Sequence, residues 1–67
     1  MITDKQQKVL GYIKRFIKMN GYPPTRMEVG LELGFNQNAA QCHIKALEKK
    51  GYISCAPRIP RGLKVLK

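Results

Sequence analysis

Acidic residues are scarce in this chain: four Asp and Glu stand against thirteen Lys and Arg among 67 residues, a net charge of +9. That imbalance points to a polyanionic partner, although charge alone says nothing about fold, and a globular domain can simply be basic. Serine and histidine occur once each, as Ser54 and His43. With so few acids around them they form no plausible catalytic set, so the sequence does not read as an enzyme. Only two cysteines are present, Cys42 and Cys55, fewer than a secreted domain that depends on disulfides usually carries. One is predicted on the outer face of a helix and the other at an inward strand position, a geometry that does not favour a bridge. A reduced, cytoplasmic setting is the expectation. Cys42-His43 lacks any C-x-x-C or H-x3-H partner, so neither a metal nor another cofactor is expected, and no small-molecule ligand is evident. No apolar run approaches the roughly 20 residues of a membrane span. The N-terminal MITDKQQK carries charge and amides where an export signal has an apolar stretch.

What remains is one small domain. A chain of this length buries only about 60% of the surface its unfolded form exposes, so modest stability is expected. Thr3 with Gln6 is a capping-box pattern, and Val9, Leu10, Ile13 and Ile17 follow at helical spacing, predicting a first helix over about residues 4–19. Gly11 interrupts it, either for close packing or by simple tolerance, at a cost of about 1 kcal/mol against alanine. Asn20-Gly21 ends the helix, and Tyr22-Pro23-Pro24 is a stiff connector. Thr25 with Glu28 is a second capping box, opening a helix over about 26–33 with Val29 and Leu33 inward. Leu31 is turned away from that stripe. Gly34-Phe35-Asn36 makes the turn, Phe35 filling the corner and Asn36 capping a third helix over about 37–50. The period then becomes alternating. Ile53 and Cys55, and later Leu63 and Val65, point inward on two strands of a hairpin spanning about 52–66. Its tip, Pro57 to Gly62, carries Arg58 and Arg61. The expected fold is mainly α with a small β-hairpin: a winged helix-turn-helix of three helices plus a two-stranded antiparallel wing, forming a single domain over 1–67.

The third helix is the informative element. At about 100° per residue, Ala40, Ile44 and Leu47 stack on one side, while Asn38, Gln41, Cys42, Lys45 and Lys49 gather on the other. No acid lies among those five. Amides read base edges and lysines hold phosphates, which are the needs of a DNA recognition helix.

With these elements in place, the chain resembles the N-terminal DNA-binding domains of the LexA family, repressors of the bacterial SOS response. The likeness covers about residues 3–66 and rests on an ordered series. Gln6-Gln7-x-Val9 comes first, then Gly21-x-Pro23-Pro24-Thr25-Arg26-x-Glu28, Leu33-Gly34-Phe35 and Asn38-Ala39-Ala40. His43-x-Lys45-Ala46-Leu47, Lys50-Gly51-x-Ile53 and Arg61-Gly62-Leu63 complete it. Three departures stand out. The turn before the third helix is one residue shorter than the family pattern. Gln41 and Cys42 stand where the enterobacterial members carry acids, so an operator other than the SOS box is allowed. The chain also stops where the family continues into a Ser/Lys self-cleaving, dimerising domain. An excised domain and a stand-alone small regulator, bacterial or phage-encoded, are both open, and the second is the expectation.

The resemblance implies base contacts from Asn38, Ala39, Gln41 and Cys42. Side-chain chemistry supports two of them independently, because Asn38 and Gln41 can each make a bidentate contact to adenine, worth roughly 1–3 kcal/mol of discrimination. Ala39 offers thymine a methyl, and Cys42 is an ambiguous small contact. For Asn38 the competing role is a second helix cap. Phosphate contacts are expected from Arg26 beside the positive end of the second helix and from Lys45 and Lys49, and Arg58 and Arg61 on the wing are placed to reach phosphates or the minor groove. A solvated face competes for the lysines, and bracing of the hairpin competes for Arg61. His43, Tyr12 and Phe16 read as packing residues. Neutralising roughly six phosphates would cost about 10³ in affinity between 50 and 200 mM salt. The partner expected is double-stranded DNA, with a weak homodimer on DNA allowed. The alternatives are a winged helix that binds protein, using Met27 and Leu31 as an apolar patch (a small phage factor acting on a host protein, for example), or a non-specific DNA binder.

Overall fold

The computed structural model describes residues 2–56, 59 and 61–66. Both capping boxes form. Thr3 accepts from the Gln6 N–H at 3.2 Å while Gln6 Oε1 accepts from the Thr3 N–H, and α1 runs from there over Asp4–Asn20. Thr25 and Glu28 exchange the same pair of bonds at 3.1 and 2.9 Å to open α2, Arg26–Leu33. Asn36 caps α3, Gln37–Lys49, through a 2.7 Å bond from the Ala39 N–H to Oδ1. Each box satisfies two amide donors that a helix start leaves orphaned, which is why short segments begin where they do.

The helix ends differ slightly from the sequence expectation. The first extends one residue further, to Asn20, and the third stops at Lys49 with Lys50 as its cap. Gly51, at φ 83°, sends its N–H back to the Glu48 carbonyl at 3.0 Å and lets the Tyr52 N–H reach the Leu47 carbonyl at 3.0 Å. This two-bond closure needs a left-handed residue, and it turns the chain directly into the wing. There β1 (Ile53–Cys55) pairs antiparallel with β2 (Leu63–Val65), placing Ile53 opposite Val65 and Cys55 opposite Leu63. Ile53 and Leu63 are buried and their partners half-buried, so the alternation read from the sequence holds.

All three helices and both strands contribute to one core: Val9, Leu10, Ile13, Val29, Ala40, Ile44, Leu47, Ile53 and Leu63. Ile17 and Leu33, expected in the same stripes, lie half-buried at its edge with Tyr12 and Phe35. Lys50 Nζ donates to Gln6 Oε1 at 2.8 Å, tying the end of α3 to the start of α1. Cys42 and Cys55 are free thiols. Among the described residues, no helix is long and apolar enough to cross a membrane.

Two glycines inside helices have opposite meanings. A Cβ on Gly11 would meet nothing within 4 Å, so that residue is tolerated rather than required. At Gly30 a Cβ would lie 2.8 Å from the Phe35 carbonyl oxygen, because the turn folds back over α2. The same carbonyl belongs to the residue whose N–H bonds the Gly30 carbonyl at 2.8 Å, so the backbone has little freedom to retreat. Gly30→Ala is therefore expected to destabilise the domain by about 1–3 kcal/mol through overpacking. Thermal unfolding followed by circular dichroism reads this directly, and an unchanged midpoint would contradict it.

Candidate nucleic-acid interface

The helix-turn-helix pair is fixed by Gly34, Phe35 and Asn36. Gly34 takes φ 77°, and the Phe35 ring packs against His43 at 5.0 Å between centroids, so that histidine is a packing residue of the turn. Because Asn36 supplies the cap, Asn38 lies inside the first turn of α3 with its side chain exposed. With Ala40, Ile44 and Leu47 fully buried, helical geometry sets Asn38, Cys42, Lys45 and Lys49 on the opposite side, and all four are exposed. Gln41 and Ala39 are half-buried on its two flanks. Gln41 shares its flank with Glu48, the one acid of α3. The Glu48 carboxylate is turned to the wing, where it accepts from the Cys55 N–H at 3.2 Å. The outward face of α3 is thereby left with two lysines, an asparagine and a thiol, and with no carboxylate among its residues.

The arginines are dispersed differently. Arg26 is exposed at the first position of α2. It also reaches towards β1: burial pushes the Cys55 thiol up and nearby Glu48 adds to this, while the Arg26 charge and hydrogen bond work against both. Arg61 is clasped rather than free. Its Nη1 donates to Glu28 Oε1 at 2.7 Å and to the Pro23 carbonyl at 3.1 Å, and Nη2 donates to Glu28 Oε2 at 3.0 Å. The guanidinium also lies 4.9 Å from the centroid of the Tyr22 ring. These partners belong to the connector and α2, not to the hairpin that Arg61 was considered to brace. Arg58 lies outside the described residues. Tyr12, Phe16 and Tyr22 form a chain of ring contacts at 5.8 and 5.7 Å, so the first two are engaged with other rings along α1.

Sequence reasoning assigned Glu28 only to its capping box and did not find its second partner. Arg61 is 33 residues away in the chain, and no local spacing announces such a pair. The Arg61 hydrogen bond is the main reason the Glu28 carboxyl sits below its ordinary value of 4.5, with the Thr25 N–H contributing next. A depressed carboxyl stabilises the fold above its ordinary value, and that stabilisation is lost as pH falls through the lowered one. The Glu28 carboxyl is therefore ionised at neutral pH, and its charge pairing with Arg61 is lost as pH falls through the lowered value.

Met27 and Leu31 are exposed at 59% and 78%, one helical turn apart on α2. Nothing in the packing of the domain accounts for Leu31. No group of three or more His, Cys, Asp or Glu among the described residues is arranged to hold a metal.

The family model described as LexA DNA binding domain matches residues 1–62. LexA repressor 1 of Pseudomonas syringae pv. tomato is 48% identical over 65 residues, which is 96% of this chain and 32% of that protein. The LexA repressor of Haemophilus influenzae is 47% identical over 66 residues, 97% of this chain and again 32% of the relative. The chain thus spans about a third of the length of these curated relatives. With a family match across nearly its whole length and a helix-turn-helix followed by a wing, the chain belongs to the LexA DNA-binding domain family.

Proposed function

We propose that this chain binds double-stranded DNA sequence-specifically, as a LexA-like transcriptional repressor working in the bacterial cytoplasm. The observation that carries the reading is the exposed, acid-free face of α3, with the only acid of that helix turned into the wing. A helix of this width fits the major groove of B-DNA. Asn38 and Gln41 then read adenine edges, while Ala39 and Cys42 make small contacts beside them. Lys45 and Lys49 continue the face towards phosphates, and Arg26 adds a cation at the start of α2, where the helix dipole also favours an anion. One such domain covers one half-site. Two copies meeting on DNA would give a palindromic target, with a spacing set by the dimer.

Lysine substitutions separate this reading from a merely solvated face. Lys45→Ala and Lys49→Ala should each weaken binding by a similar factor on every duplex and lower the slope of log affinity against log salt by about 1. Fluorescence anisotropy titrations across salt concentrations measure both effects. Unchanged affinity and slope would return the lysines to solvent and favour the protein-binding alternative, for which Met27 and Leu31 provide the apolar patch. A selective loss on one sequence would instead make them base-reading residues.

A further inference from the structure

The Arg61–Glu28 pair joins two parts of the domain that the chain separates by 33 residues. One is the wing, just before β2. The other is the first turn of α2, the helix that supports α3. Exposed ion pairs usually contribute little, because water screens them and two long side chains must be held still. This pair is built differently. Glu28 is already immobilised by its cap, with Oε1 accepting from the Thr25 N–H at 2.9 Å. Arg61 engages both carboxylate oxygens, the Pro23 carbonyl and the Tyr22 ring face at once. Its planar fork matches the carboxylate, a geometry lysine cannot reproduce. The Tyr22 ring is itself packed edge-on against Phe16 of α1 at 5.7 Å. A single wing residue is therefore anchored to the connector, to α2 and, through Tyr22, to α1.

We propose that Arg61 and Glu28 are positioning residues for DNA binding: their clasp fixes the wing against the helix-turn-helix, and Arg61 acts through Glu28 rather than on a phosphate. This deepens the DNA-binding reading and rests on it. The clasp and a direct phosphate contact predict opposite signs for one substitution. Glu28→Gln keeps a side-chain acceptor for the Thr25 cap, since glutamine serves equally in a capping box. It removes the negative charge and replaces the oxygen facing Arg61 Nη2 with an amide N–H donor, which breaks the two-bond fork and loosens Arg61. If Arg61 were a phosphate ligand restrained by Glu28, affinity would rise and the salt slope would steepen. If Arg61 is a positioning residue, affinity falls although the protein has become more positive.

The test uses the duplex that the wild-type protein enriches from random sequence, at a temperature where circular dichroism shows every variant folded. Glu28→Gln and Arg61→Gln should each lose about fivefold in affinity or more. The Glu28→Gln/Arg61→Gln double variant should lose no more than either single one, because both remove the same clasp. Arg61→Lys should fail to restore wild-type affinity, since it keeps the charge but not the fork. Tighter binding by Glu28→Gln, additive losses, full rescue by lysine, or no change in any variant would each overturn the proposal while leaving DNA binding in place. A wild-type protein that enriches no motif and shows no salt-sensitive binding would overturn both readings together.

Discussion

Replacing Asn38 and Gln41 together by alanine should sharply reduce discrimination between the chosen operator and unrelated DNA while leaving the fold unchanged. Each amide that grips an adenine through two hydrogen bonds contributes roughly 1–3 kcal/mol of selectivity. The two side chains lie three residues apart on one helix, so their losses need not add strictly. At the low end of simple addition, about 2 kcal/mol, the operator preference still falls by roughly 30-fold. Non-specific affinity should persist, because Arg26, Lys45 and Lys49 are untouched and carry no sequence information. Neither residue belongs to the buried core, and the α3 cap is supplied by Asn36, so the unfolding midpoint should hold. Competition titrations with operator and scrambled duplexes measure this. Parallel loss on both duplexes would mean that the residues support the helix or bind phosphate rather than read bases.

A larger loss of stability is expected from Ile44→Ala. Ile44 is fully buried on α3, directly behind the exposed face, in a core drawn from all five elements. Truncating a buried isoleucine to alanine costs about 2–5 kcal/mol, because lost transfer energy and an unfilled cavity combine. Domains have roughly 0.05–0.15 kcal/mol of stability per residue, which for a chain this short makes one such cavity a large fraction of the whole. Urea unfolding should show the midpoint falling sharply or the transition disappearing. If DNA binds the folded form in preference to the unfolded one, saturating duplex should restore helicity to the variant by mass action. An unchanged midpoint would mean that the core does not depend on α3 as its packing indicates.

Much of this architecture was legible because it is local. Thr3 with Gln6 and Thr25 with Glu28 are three-residue signals, and both form the reciprocal bonds that they announce. The helical stripe of Ala40, Ile44 and Leu47, and the strand alternation around Ile53 and Leu63, are likewise short-range patterns that burial confirms. The details that escaped depend on the chain meeting itself. Gly30 drew no reading from its spacing, yet the Phe35 carbonyl folds onto it. Arg61 reads as a wing cation until the fold brings Glu28, Pro23 and Tyr22 around its guanidinium. Glu48 likewise drew no reading from its spacing, yet its carboxylate accepts from the Cys55 N–H. Leu31 shows the reverse: spacing placed it outside, it is exposed, and packing gives it no role.

Sequence reading by the outward face of α3 is the proposal on which the others depend. Selection from random duplex DNA at physiological salt, with the wild-type protein and the Asn38→Ala/Gln41→Ala variant in parallel, tests it most directly. The wild type should enrich a short motif containing adenines and the variant none, with two-fold symmetry in the motif if two copies bind. Salt-sensitive retention without any motif, or the same motif from both proteins, would contradict it.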